Sequence, residues 1–389
     1  MKTSRTALND ADSSPVIRPT VARVDLDAIR SNVRAITSFL ASSPHTPVPK
    51  VIVVVKANAY GHGAAQVGLA LEEAGATMLA CADIDEGIVL RTAGVRAPIL
   101  VFGALSVSDL DGVFAHDLTP TISTPSAARA LEEGAARHHV TLGCHLKIDT
   151  GMNRLGFRHD NLGRTLPEVA ASRHLRIDAI YTHFATADEP ESPAFNEQRE
   201  RFDVACAAAA SLGIAPPLRH AAGSAALLRD ERVWYDFCRP GLLLYGIVPP
   251  PLASTLPLRP ALSLHSRIVH VKGVRPGEGT GYGLKTSAVD RPSTIAVVPA
   301  GYADGLDRRL AGCGYMLVRG RRAPIVGSVC MDMTTIDVTG MEISTGDDVI
   351  ILGRQDDEMM DVREMAATIG TIPWELLCRI GARIQRVYG

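Results

Sequence analysis

From about Val21 to about Pro250 the chain alternates two textures. Short apolar runs rich in β-branched residues are followed by longer segments whose apolar positions recur at spacings of three and four, the periods of a buried strand and an amphipathic helix. The runs predict strands at Val51 to Val55, Thr77 to Ala82, Ile99 to Phe102, Thr119 to Ile122, Thr141 to Lys147, Ile177 to Thr182, Leu218 to Ala221 and a short one near Phe237. Gly63 to Ala74, Pro125 to His138 and Phe195 to Leu212 read as helices between them. Strands and helices in that alternation predict an α/β fold, a closed TIM-like (β/α)8 barrel. Pro249-Pro250-Pro251, with Pro257 and Pro260, breaks the pattern. Beyond it short strands at Ser266 to Val271, Thr294 to Val298, Tyr315 to Val318, Thr334 to Val338 and Asp348 to Leu352 are divided by Gly, Pro and Asp turns, as in a mostly-β module. A helical piece at Asp361 to Ile369 and a strand near Ile384 to Val387 close it. The predicted domains are therefore a barrel over 21–252 and a C-terminal β domain over 253–389, with Val21 to Val24 free to join either.

Composition narrows the possible functions. At 389 residues the chain has ample material for two cores. Its 40 basic and 42 acidic side chains leave a formal net charge of -2, and no stretch gathers cations with aromatics. Nucleic acid is not an expected partner. Seven cysteines occur without CxxC or metal-like spacing, which fits reduced thiols in a cytoplasmic protein and predicts no metal site. Met1 to Thr20 is polar and reads as a disordered leader, and no run reaches the length of a membrane span.

The chemistry gathers at the predicted strand ends, where a barrel carries its active site. Lys56 follows the first apolar run, and the sequence Ala57-Asn58-Ala59-Tyr60-Gly61-His62-Gly63 comes at once after it. A lysine on apolar walls loses solvation of its ammonium form and becomes available as a free amine. Lys147 and Arg154 follow the fifth strand, His183 the sixth, Gly223-Ser224 the seventh and Arg239-Pro240-Gly241-Leu242 the eighth. The last two turns suit a phosphate on backbone amides. In the β module Tyr282 and Tyr302 lie among glycines, and Cys330-Met331-Asp332 follows a strand. Taken alone, these three read as packing.

The motifs VVVKANAYGHG, HLKIDTGMNRLGF, YTHFATAD, RPGLLLYG, SLHSRIVHVK, GYG, GYADGLDRRL and GSVCMDMTTID, in this order, closely resemble the alanine racemase family. The resemblance runs from about residue 21 to the C-terminus. It implies a pyridoxal 5'-phosphate enzyme that interconverts L-alanine and D-alanine for peptidoglycan, built as a head-to-tail homodimer with active sites shared between chains. By motif position, Lys56 resembles the Schiff-base lysine and the base on the D-alanine side, and Tyr282 of the second chain the base on the L-alanine side. His183 and Arg239 resemble the pair behind that tyrosine, Arg239 also facing the cofactor's ring nitrogen. Tyr60, Ser224, Gly241 and Leu242 match phosphate-binding positions. Arg154 matches the substrate-carboxylate arginine and Lys147 the often carbamylated lysine that orients it. Met331 matches a backbone donor to the carboxylate, and Tyr302 a residue narrowing the entrance.

Two positions depart from the family's pattern. Gly223 stands where Asn often precedes the phosphate-binding serine, and Ala382 where many members carry a phosphate-contacting tyrosine. They leave a racemase of serine or other small amino acids as the alternative. Two further readings are weaker. Barrel-plus-β decarboxylases for basic amino acids carry a glycine-rich phosphate loop and a CESGD-like motif, neither of which is found here. A single-barrel PLP carrier would lack everything after Pro251.

Overall fold

A computed structural model describes residues 17–44, 46–105, 108–284 and 291–389. These form two compact units, one of Asp25–Ala261 and one of Leu262–Gly389 with Val24 and the residues before it. In the first unit eight parallel strands close into a barrel: β1 (Lys50–Val54), β2 (Met78–Cys81), β3 (Ile99–Val101), β4 (Thr119–Ile122), β5 (Leu142–Asp149), β6 (Leu175–Tyr181), β7 (Leu218–Gly223) and β8 (Phe237–Arg239). Closure is made by β8 on β1, where Phe237 pairs with Lys50 and Cys238 with Val51. All eight predicted strands are present, each displaced by a few residues at most. Their continuous apolar runs are explained by burial on both faces: Ile52, Val53, Leu79, Leu100, Val101 and Leu146 have no exposed surface.

The helices Ala64–Glu73, Pro125–His138 and Ala194–Ser211 lie within a residue of their predicted bounds. Thr124 caps the second through Ala127 N–H, with Pro125 in the first turn. The barrel unit runs past the proline stretch to Ala261 for a local reason. Buried Asn32, on the helix Leu26–Ser42, donates to the carbonyls of Leu244 and Arg259 and accepts from Arg259 N–H, tying that segment to the barrel.

The second unit is built on a ten-stranded sheet. Val21–Val24 joins it, antiparallel to Leu262–Arg267 and parallel to Gln385–Tyr388. Ile17 to Thr20, the last residues of the expected leader, are described and precede this strand. Arg18 pairs with Asp304, and Thr20 is buried, donating to Pro299 O. The rest of the predicted leader lies outside the described residues. The single strand expected over Ser266 to Val271 is two strands, Leu262–Arg267 and His270–Val274. The chain changes partners between them: Ile268 N–H bonds Asp347 O while Val269 N–H bonds Val297 O. The strand Arg321–Val326 and the helix Pro373–Cys378 carried too weak a pattern to be predicted in full.

Candidate active site

Nine of the twelve expected site residues lie at the C-terminal ends of the barrel strands. After β1 the backbone does something unusual. Ala57, Asn58, Ala59 and Tyr60 all have φ between 52° and 54°, a turn of left-handed helix made without glycine. Such a conformation costs L-residues roughly 1–2 kcal/mol each, asparagine being the one type here that tolerates it well. Backbone bonds from Ala59 to Val55 O and from Gly63 to Asn58 O close the turn, and Asn58 Oδ1 accepts Ala64 N–H. Glu86 bridges it to the neighbouring strand, accepting Ala57 N–H at 2.5 Å and Ala82 N–H at 2.7 Å. The result brings Lys56 out at the strand end and turns Tyr60 inward, its ring 5.0 Å from that of Tyr245.

Tyr60 then meets the loop after β8. A Cβ at Gly241 would come within 2.4 Å of its hydroxyl, so glycine is what lets the ring and the loop approach this closely. Ser224 Oγ accepts Gly241 N–H at 2.9 Å, binding the loops after β7 and β8 together. The amide of Leu242, a residue only 1 % exposed, donates to no protein atom among the described residues. A hydroxyl, a serine and an unused buried amide thus converge on one spot, a donor set fitted to a phosphate.

Behind this spot lies a buried polar chain. Arg239 donates from Nη2 to the carbonyls of Thr182 and Ala221, both at 2.8 Å, and to His183 Nδ1 at 3.2 Å. Its Nη1 donates to His220 Nδ1 at 2.7 Å, and His220 Nε2 lies 3.0 Å from His145 Nδ1. Because a guanidinium only donates, His183 and His220 must accept at Nδ1 and carry their proton on Nε2. His220 therefore donates onward to His145. Burial, then the Arg239 charge, pushes both imidazoles well below the usual histidine range. Burial pushes His145 down to about 4 and Arg239 down to about 10, so the arginine stays cationic near neutrality. Tyr181 stacks on His220 at 4.6 Å and 9°, bonds Thr121 through its hydroxyl at 3.0 Å, and is pushed up to about 12 by burial.

Lys147, 6 % exposed, is pushed down to about 8 by burial, then by Arg154, Arg239 and Lys56, with Asp149 opposing. The charges of Lys147, Lys56 and Arg154 also bear on His183. Four cations against Asp149 make a mouth that attracts anions. Gln198 braces the rim, donating to Thr150 Oγ1 and His183 O and accepting Ala185 N–H. Gly223 flanks His183, where a Cβ would come within 3.3 Å of Cε1.

The other three expected residues belong to the second unit. Tyr282 is 79 % exposed on a one-turn helix whose carbonyl accepts from Ser328 Oγ. Tyr302 and Met331 sit on loops joined by two backbone bonds, Tyr302 N–H to Cys330 O and Ala303 N–H to Met331 O. Buried Asp304 anchors them, accepting Gly301 N–H and pairing with Arg18 and Arg383, while Arg383 also reaches Met331 O. Burial alone would raise the Asp304 carboxyl, but these bonds outweigh it and hold it below the usual range.

Glu86, Gln198, Asp304 and the two buried histidines were missed in sequence. Period two was the available signal for the histidines, since His145 lies two residues before Lys147 and His220 two before Ala222 on interior faces.

The profile described as the alanine racemase N-terminal domain matches residues 24–249, and that of its C-terminal domain 261–388. Alanine racemase of Symbiobacterium thermophilum is 39% identical over 375 residues, covering 96% of this chain and 98% of that one. The Carboxydothermus hydrogenoformans alanine racemase is 40% identical over 378 residues, covering 96% of this chain and 100% of its own. Among solved structures, alanine racemase of Bacillus anthracis with bound L-Ala-P superposes with a TM-score of 0.88 at 37% identity, over 97% of this chain and 96% of that one. The enzyme of a D-cycloserine-producing Streptomyces lavendulae gives 0.90 at 32% identity, over 97% and 98%. With both domain profiles matched in order along one barrel and one β unit, this chain belongs to the alanine racemase family.

Proposed function

We propose that this protein is a pyridoxal 5'-phosphate-dependent racemase that interconverts L-alanine and D-alanine by a two-base mechanism and supplies D-alanine for peptidoglycan in the cytoplasm. The observation that carries it is the convergence of Tyr60, Ser224 and the Leu242 amide beside a strand-end lysine, backed by a buried guanidinium. When bound, the cofactor supplies an electron sink that acidifies the substrate's Cα–H. Lys56 would hold the cofactor and serve as the base on one face, and Tyr282 of a second chain would serve on the other. Bases on opposite faces of one carbon are the requirement of racemisation: one removes the proton and the other returns it.

His183 presents Nε2–H because Arg239 occupies Nδ1, a fixed donor suited to a phenolate. Arg239 would face the cofactor's ring nitrogen, and because a guanidinium keeps its proton near neutrality it would not protonate that nitrogen as a carboxylic acid would. Arg154 receives the substrate carboxylate together with the Met331 amide, and Tyr302 narrows the approach. Homodimerisation with shared sites is supported by the exposed side chains of Tyr282, Leu284, Met331 and Met333 on one unit. Such apolar groups call for a covering surface. No helix among the described residues is long and apolar enough to cross a membrane.

The test is an absorbance spectrum before and after borohydride, followed by racemisation assays on a panel of L-amino acids. Alanine is expected to exceed serine in kcat/KM by at least about tenfold, the discrimination a small pocket gives. Gly223 lacks the side chain whose Cβ would come within 3.3 Å of His183 Cε1 and so keeps serine as the alternative reading, and equal or better turnover of serine would replace alanine by it.

Lys147 is proposed to carry a carbamate that orients Arg154. Burial lowers its pKa to about 8, so the share of neutral amine that can take up CO2 rises several-fold between pH 7 and pH 8. In 13C-labelled CO2 a carbamate resonance is expected to grow over that interval at fixed dissolved CO2 and to be missing from Lys147→Arg. An identical spectrum for the two proteins would exclude the modification.

A further inference from the structure

We infer that Glu86 is a positioning residue for cofactor binding, its carboxylate holding the left-handed turn Ala57–Tyr60 that fixes Lys56 and Tyr60. The inference rests on the racemase reading of those two residues. Four consecutive non-glycine residues in the left-handed region relax to other backbone conformations unless something outside the turn holds them. The closures from Ala59 N–H to Val55 O and from Gly63 N–H to Asn58 O are backbone bonds that any compact turn could form. The carboxylate of Glu86 differs because it reaches from another strand–helix connection and takes the first amide of the turn, that of Ala57, beside Lys56.

Glu86 is itself held from two directions. Its backbone N–H donates to the capping side chain of Asp83 at 2.9 Å, which sets it in the first turn of the helix Ile84–Thr92. Its second carboxylate oxygen accepts Ala82 N–H, just past the end of β2. One side chain therefore ties the turn after β1 to the end of β2. With that tie cut, a right-handed or extended backbone at Ala57 and Ala59 would carry Tyr60 away from Gly241 and shift Lys56.

Glycine separates this role from simple helix capping, because it adopts positive φ without a Cβ penalty. Apparent pyridoxal 5'-phosphate dissociation constants and amide exchange at residues 56–63 are measured on the parent protein, Glu86→Ala, and Glu86→Ala combined with Ala57→Gly and Ala59→Gly. Glu86→Ala is expected to weaken cofactor binding by about tenfold or more and to speed exchange at Ala57, the scale expected for losing charge-assisted bonds. The added glycines should restore affinity to within about threefold of the parent, since the turn then needs no clamp. If Glu86→Ala does not fold, the same comparison is made with Glu86→Gln, which keeps one acceptor oxygen. Parental affinity without the carboxylate, or a lost affinity that the glycines leave unrepaired, would overturn the clamp while the racemase reading stands. A parent protein that takes up no cofactor would overturn both.

Discussion

Tyr282→Phe is expected to lower kcat for alanine racemisation in both directions by about 10³-fold, within the usual range for losing a general acid–base group. The substitution removes one oxygen and keeps the ring, so the turn at Tyr282–Leu284, braced by Ser328 through a backbone carbonyl, has no reason to move. The groups fitted to the cofactor, Lys56, Tyr60, Ser224 and Leu242, belong to other loops, and the cofactor's absorbance band should be unchanged. Both directions suffer because the phenol that takes the proton from L-alanine is also the one that returns it when D-alanine is the substrate. A mixed-subunit experiment sharpens this. Lys56→Ala and Tyr282→Phe chains should each be nearly inactive alone, but random mixing would leave about a quarter of sites with both groups intact if each site draws on two chains of a symmetric dimer. A site built from one chain would gain nothing on mixing. Full activity of Tyr282→Phe in both directions would end the two-base proposal.

What was legible in sequence and what was not divides along physical lines. The barrel strands announce themselves because two buried faces demand unbroken apolar runs, as in Val51 to Val55 and Ile99 to Val101. Lys56 was legible because a cation ends such a run. The left-handed turn after it was not, since Ala57, Ala59 and Tyr60 give no local sign of positive φ and Asn58 only a weak one. Its restraint comes from Glu86, twenty-nine positions away, and no local window contains both. Arg321–Val326 was obscured by paired arginines and by Pro324, which cannot donate to a neighbouring strand. The pairing of Val21–Val24 with both Leu262–Arg267 and Gln385–Tyr388 is a property of tertiary closure. The functional loops of the second unit look like ordinary glycine turns for a similar reason: Asp304 joins Tyr302 to Met331 through arginines drawn from both ends of the chain.

The second large effect concerns the buried guanidinium. Arg239→Met should destabilise the barrel unit by about 3–5 kcal/mol, the range for breaking a buried charged network by removing one partner. Methionine fills much of the volume, so the loss is one of bonding. The carbonyls of Thr182 and Ala221 and the Nδ1 atoms of His183 and His220 lose the donor that serves all four. Arg239→Lys restores the charge with three donors and no planar fork, and should recover only part of the loss. The pH dependence supplies a second readout. His145, His183 and His220 have folded pKa values below the usual 6.5, so the unfolded chain binds protons that the folded chain refuses. Stability is therefore lost as pH falls below about 6.5, by up to about 1.4 kcal/mol per pH unit for each imidazole, and for His145 this continues to about pH 4. Removing the Arg239 charge takes away its share of that depression for all three, although burial remains the largest cause. The acid limb of the stability profile should then be shallower in Arg239→Met than in the parent, even as its plateau is lower. Urea denaturation between pH 4 and pH 8 measures both quantities. A plateau equal to the parent's would mean that the four acceptors find other donors, and an equally steep acid limb that burial alone keeps the histidines neutral.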